Sequence, residues 1–187
     1  MLDEIFNATK VLTSGGTILY PTDTIWGIGC DATNASAVEK IYKIKKRIES
    51  KCLIVLVTDI EMLKEYLVSF PDMAMDLINS LEQPTTIIYP KAKNIVKNVM
   101  AADGSVAIRI VKDEFCKQMI TLFGKPIVST SANISGEVAP VSFCKISEEI
   151  INSVDYIVKH ERNKLKQMKP STIIKLHDDG EYEIIRH

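Results

Sequence analysis

Histidine is scarce in this chain and crowded at one end: three in 187 residues, His160, His177 and His187, all within the last thirty. A histidine-based nucleophilic triad is therefore disfavoured, although one imidazole would suffice for it. Cys30, Cys52, Cys116 and Cys144 are scattered with no C-x-x-C pair, so neither a zinc site nor a disulfide framework is supported, and reduced thiols are expected. No apolar run approaches the ~20 residues a membrane span requires. The start, Met1-Leu2-Asp3-Glu4, offers acids where a secretory signal carries bases, which makes the cytoplasm the expected location. Neither G-x-x-x-x-G-K-[ST] nor G-x-G-x-x-G occurs, so any nucleotide would be held in some other way. A net charge of −1 argues against a chain that coats itself in nucleic acid but leaves room for a local basic cleft.

What is present fits one globular domain over residues 1–187, with 46% hydrophobic and 25% charged residues and no internal repeat. Helical spacing predicts helices over 2–13, 34–46, 59–67, 71–81, 113–123 and 142–151. Caps are expected at Asn34 or Ser36 and at Asp59, and Gly124 should end the fifth helix. Strands are predicted at 17–20, 53–57, 85–89, 105–110, 127–128, 154–158, 172–176 and 182–185, the last two joined through Asp178-Asp179-Gly180. The late strands come without intervening helices, which points to an α/β fold with a mixed sheet.

Four stretches look unlike core. Residues 126–136, Pro-Ile-Val-Ser-Thr-Ser-Ala-Asn-Ile-Ser-Gly, run from a short strand into hydroxyls and an amide that suit a ligand rich in oxygens. The alternative is a turn that satisfies its own backbone. In Tyr20-Pro21-Thr22-Asp23-Thr24-Ile25-Trp26-Gly27-Ile28-Gly29-Cys30 a proline fixes the strand end and should project Thr22 to Thr24, unless the stretch is a hairpin around a buried tryptophan. Residues 43–51 hold five cations in nine, either a solvated helix end or a phosphate clamp. Arg109 interrupts the apolar strand 106–111 and needs a partner, through carboxylate recognition or a plain salt bridge. Residues 159–169, with six basic side chains in eleven, read as a mobile basic loop and a candidate lid.

Together, Tyr20 to Asp31, Lys45-Lys46-Arg47, Ser105 to Arg109, Ser129-Thr130-Ser131-Ala132-Asn133-Ile134-Ser135-Gly136, Pro170-Ser171-Thr172 and Ile185-Arg186 resemble the YrdC/Sua5 family in order and spacing, from about residue 5 to 186. The length resembles the short form of that family. The resemblance implies a twisted mixed sheet with surrounding helices around a large, positively lined cavity. It implies an L-threonylcarbamoyladenylate synthase, a nucleotidyltransferase that uses L-threonine, bicarbonate and ATP and releases pyrophosphate. The product would feed threonylcarbamoyladenosine (t6A) modification of tRNA. Thr24, Arg109, Ser131 and Ser171 would hold L-threonine. Lys45, Arg47 and Lys51 would hold the ATP phosphates, with Ser105, Asn133, Val141 and Arg186 against the nucleotide. No protein nucleophile and no protein metal site are implied; Mg2+ would come with ATP. Proteins that transfer the product would be partners, with tRNA or double-stranded RNA contact a further expectation.

The chain departs from the family pattern at several points. Ile48 and Val111 stand where prolines are usual, Glu82-Gln83-Pro84 replaces Pro-Gly-Pro, and His187 replaces a glycine. These changes bear on loop rigidity, and on Arg186 most. A non-catalytic module binding structured RNA through 43–51 and 159–169 is the competing expectation, disfavoured by the charge balance and by the lack of interleaved aromatics. The carbamoyl-adenylate domain of hydrogenase-maturation proteins is a second, disfavoured by size and cysteine content.

Overall fold

The structure, a computed structural model, describes residues 1–46, 53–164, 170–177 and 181–186. The helices are α1 (Leu2–Thr13), α2 (Ala35–Lys45), α3 (Ile60–Glu65), α4 (Asp72–Ser80), α5 (Glu114–Phe123) and α6 (Glu148–Ser153), and α2 and α3 start at the expected caps Asn34 and Asp59. Asn34, Asp59, Asp113 and Ser147 each accept a hydrogen bond from a first-turn backbone N–H. Gly124, at φ 72°, closes α5 in the left-handed conformation glycine tolerates best. The helix expected over 142–151 is split. A 3-10 turn, Phe143–Lys145, precedes the Ser147 cap that starts α6 afresh.

The strands are β1 (Ile18–Tyr20), β2 (Gly27–Asp31), β3 (Ile54–Val57), β4 (Thr85–Tyr89), β5 (Val106–Ile110), β6 (Ile127–Ser131), β7 (Tyr156–Ile157), β8 (Thr172–Leu176) and β9 (Tyr182–Arg186). They form one mixed sheet in the order β7-β1-β2-β6-β3-β5-β4-β8-β9. Three pairs are parallel, β1 with β7, β3 with β5 and β4 with β8, and the others run antiparallel. Two strands depart from expectation. β2, absent from the predicted strands, pairs with β1 as the hairpin alternative for residues 20–30 allows, and β6 extends three residues past Val128 because Ser129 to Ser131 keep pairing with β2. The turn expected at 178–180 lies outside the described residues.

Much of the sheet is covered on both faces, which explains the apolar run of β3. On one face α2 and α3 pack Val38, Ile41 and Leu63 among Trp26, Ile28, Val55 and Val57. On the other, Ile5, Ala8 and Leu12 of α1 and Phe115, Met119 and Ile120 of α5 cover Ile18, Tyr20, Leu56 and Ile127. Leu2 and Phe6 of α1 are exposed. The helices of this second face reach only part of the sheet. Ser129, Ile54, Ala107 and Ile88 stand directly opposite one another across β6, β3, β5 and β4, so all four point to the same face, and there it is left bare.

Candidate active site

That bare part of the sheet floors a cavity of about 410 Å³, within the ~300–1,000 Å³ range of small-molecule sites. Its walls are Thr22, Thr24 and Gly27 from the β1–β2 turn, Ser129, Ser131 and Asn133 from the serine loop, and Arg109, Ser171 and Arg186. Six of the residues singled out in the sequence (Thr24, Arg109, Ser131, Asn133, Ser171 and Arg186) thus meet at one place.

The β1–β2 stretch satisfies both readings of its sequence. It is a hairpin with Trp26 wholly buried, and it also delivers threonine side chains to the cavity. The Thr22 hydroxyl donates to the Ile25 carbonyl at 2.6 Å and accepts from the Thr24 and Ile25 backbone N–H groups. Its oxygen lies 3.1 Å from the Thr24 hydroxyl. Thr22 therefore builds the turn, and Thr24 faces Arg109, whose Nη1 lies 3.4 Å from its hydroxyl.

Arg109 is 4% exposed, and its Nη2 lies 3.1 Å from Asp23 Oδ1 in a buried ion pair. The salt-bridge reading of Arg109 holds, and it does not exclude the other. Arg109 Nε has no hydrogen-bond partner and the Thr24 contact is long, so donors remain for an anion. Asp23 was legible only as an acid among threonines. Its pairing with Arg109 had no local signal.

Arg186 reaches the cavity through a register shift. β8 and β9 pair regularly from Leu176↔Tyr182 to Ile174↔Ile184, and then Ile173 meets Arg186, leaving Ile185 as an extra residue. Regular pairing would set Arg186 opposite Thr172 on the far face; the bulge turns it towards the cavity. Its Nε and Nη2 donate to the Ser171 carbonyl at 3.1 and 2.7 Å, and the Ser171 hydroxyl sits 2.8 Å from that of buried Thr86. Partial burial, and after it the charge of Arg109, lowers the Arg186 pKa below its ordinary value. The two cations oppose one another across the cavity, an arrangement that an anion between them relieves.

The serine loop combines its two readings as well. Asn133 Nδ2 donates to the Ile134 and Glu137 carbonyls, as a self-satisfied turn would, while Ser129 and Ser131 line the cavity. Three expected nucleotide residues stand elsewhere. Lys45 is 2% exposed, and its ammonium donates to the Ser131 and Asn133 carbonyls at 2.6 Å each. Ser105 is buried at the far end of β5, where its N–H donates to Asp103 Oδ1, and it is not among the lining residues. Val141 is exposed and also absent from the lining. Arg47 and Lys51 lie outside the described residues.

Of the basic stretch 159–169, the described part is fastened down. Arg162 donates to the Ile157 and Val158 carbonyls and lies over the Phe143 ring. None of residues 159–164 is among those lining the cavity, so the described part lends the lid no support; residues 165–169 lie outside the described residues. Burial raises the thiol pKa of Cys30 and Cys116, so neither supplies a thiolate. Among the described residues no three His, Cys, Asp or Glu side chains gather as a metal site, and Glu137 is the one carboxylate lining the cavity. Nor is any described helix long and apolar enough to cross a membrane.

Fold and site define a mixed-sheet α/β protein with an open pocket of hydroxyls and guanidinium groups, suited to small oxygen-rich anions. Residues 10–187 match the model of the Sua5/YciO/YrdC family, described as "Telomere recombination". The chain belongs to the Sua5/YciO/YrdC family. It is 36% identical over 171 residues to a putative threonylcarbamoyl-AMP synthase of Methanocaldococcus jannaschii, covering 91% of this chain and 79% of the relative. A threonylcarbamoyl-AMP synthase of Pseudoalteromonas translucida is 34% identical, covering 89% of each chain. Among solved structures, P. abyssi Sua5 complexed with L-threonine superposes with a TM-score of 0.85 at 27% identity, over 92% of this chain and 50% of that one. E. coli YciO shares the fold, with a TM-score of 0.86 at 23% identity over 100% of this chain and 90% of its own. The chain thus spans about half the length of the Sua5 structures it matches.

Proposed function

We propose that the chain is a threonylcarbamoyl-AMP synthase, acting as one domain on L-threonine, bicarbonate and ATP. The observation that carries this reading is the meeting of Thr24, Arg109, Ser131 and Ser171 with Asn133 and Arg186 around one cavity. Its support from relatives is that synthases of this name align over most of the chain and that one family structure holds L-threonine.

In this reading Arg109 takes the threonine carboxylate through the donors that Asp23 leaves open, and Thr24, Ser131 and Ser171 surround the amino acid. The amine captures carbon dioxide as a carbamate, whose oxygen attacks the α-phosphorus of ATP in line with departing pyrophosphate. Such a transfer needs positioning and charge stabilisation more than a protein nucleophile. Arg186 and Asn133 belong to the nucleotide side, with Arg47, Lys51, Ser105 and Val141 assigned there on family likeness. Mg2+ enters as part of the ATP complex, held by phosphates and water. Transfer proteins would carry the product on to tRNA in the cytoplasm. The RNA-module alternative is weakened by Lys45, which is buried, and by Arg162, which is folded onto Phe143.

Arg186→Ala is expected to lower ATP affinity about tenfold, the effect of one charge-assisted hydrogen bond. Because Arg186 holds the Ser171 carbonyl, threonine affinity should fall with it. Calorimetry showing threonine binding untouched would separate the two. For the function itself, labelled bicarbonate and labelled threonine should both appear in one AMP-containing product; a product lacking either label refutes the assignment.

A further inference from the structure

We propose that Lys45 is a positioning residue that fixes the distance between the amino-acid and nucleotide positions from behind the serine loop, without touching phosphate. The inference rests on the synthase reading above and concerns how its two halves are held together. It also departs from the phosphate role that family likeness assigns to this lysine.

Lys45 is the last residue of α2 and follows Val38, Ile41 and Tyr42 at helical spacing, so it occupies the buried stripe of the helix and not its wet side. Its neighbours Lys43 and Lys46 are exposed. The ammonium group is absent from the cavity lining and instead sits beneath the loop. It donates at 2.6 Å both to the carbonyl of Ser131, on the threonine side, and to that of Asn133, on the nucleotide side. The carbonyl of Lys45 in turn accepts from the Ser135 N–H at 2.9 Å. One residue therefore grips the loop at three alternate positions, while Trp26 holds the intervening Ala132 N–H at 3.0 Å.

The chain leaves β6 here through a tight turn, in which the Asn133 N–H donates back to the Ser131 carbonyl at 2.9 Å. That carbonyl accepts twice, from Asn133 and from Lys45, and so uses both of its lone pairs. A compact ammonium with three donors fits such a converging set of carbonyls; a planar guanidinium does not. Charge-assisted bonds to carbonyls also compensate a cation taken out of water. Without the ammonium, the half-buried Asn133 carbonyl loses its bond to Lys45 and the Ser131 carbonyl one of its two, and the loop can relax the spacing of Ser131 and Asn133.

Two measurements test this. Reductive methylation of the wild-type protein, read by mass spectrometry, should modify Lys43 and Lys46 while leaving Lys45 unmodified, with or without ATP. Methylation of Lys45 in the free protein that ATP suppresses would make it a phosphate ligand and overturn the proposal. Second, threonine affinity without nucleotide and ATP affinity without threonine should each fall about tenfold or more in Lys45→Met, and Lys45→Arg should restore neither. Loss of ATP affinity alone, restoration of it by arginine, or unchanged affinities in a folded Lys45→Met would each refute the positioning role. If Lys45→Met does not fold, the methylation result decides. Failure of the wild-type protein to bind either ligand would refute the synthase reading, while the methylation pattern would still report separately on Lys45.

Discussion

Arg109→Glu is expected to destabilise the fold by about 3–5 kcal/mol, because it leaves Asp23 facing a second carboxylate where a guanidinium lay 3.1 Å away. Both side chains of that pair are less than a tenth exposed, so water screens the repulsion poorly. At about 2–4 °C per kcal/mol for a chain of this size, the melting temperature should drop roughly 6–20 °C. Charge reversal at Arg109 therefore reports first on folding and only then on substrate. Arg109→Lys separates the two. It keeps a cation beside Asp23 but gives up the planar fork that matches a carboxylate. Its melting temperature should stay near that of the parent while threonine affinity falls about tenfold. An Arg109→Lys protein with full threonine affinity would remove Arg109 from the amino-acid position. An Arg109→Glu protein that melts normally would show that the Asp23 contact carries little energy.

The second large effect is expected at Gly29. A methyl group there would lie 2.7 Å from the Val128 carbonyl oxygen and 2.8 Å from Tyr20 Cε1. The first obstacle is backbone of the adjacent strand and the second a ring with no exposed surface, so neither can yield cheaply. Gly29→Ala should cost about 3 kcal/mol, at the upper end of ordinary overpacking. Because Gly29 pairs with Ser129, the strain pushes on the strand that carries the serine loop, and affinity for threonine and for ATP should fall together. Gly104→Ala is the comparison. It meets no atom within 4 Å, and its penalty of about 1–2 kcal/mol comes from its positive φ alone. Thermal melts with equal losses at the two glycines would contradict the close approach of β2 and β6.

Local features of the fold were legible because their causes are local. Asn34, Asp59 and Asp113 cap helices because a short polar side chain reaches the first-turn N–H groups whatever the tertiary context. The unbroken apolar run of β3 reads as a strand covered on both faces, which holds for Val55, Leu56 and Val57, whereas Ile54 floors the cavity. The sheet order was not legible, since nothing near β6 marks it as the strand between β2 and β3. The candidate site divides in the same way. Thr24, Arg109 and the serine loop stood out as polar groups in places where a strand should be apolar. The pairing of Arg109 with Asp23 and the hold of Arg186 on Ser171 each join distant segments, and no spacing rule reaches that far. The bulge that aims Arg186 was equally silent, because Ile184-Ile185 reads as ordinary strand. For Lys45 a signal did exist. It lies on the stripe of Val38, Ile41 and Tyr42, and that periodicity outweighs its place in a basic run.

If one cavity brings threonine and ATP together at the serine loop, pyrophosphate release must depend on every substrate at once. Release is predicted when L-threonine, bicarbonate and ATP are all present, and it should collapse when threonine or bicarbonate is withheld. Release that proceeds at the same rate without threonine or without bicarbonate would contradict the claim.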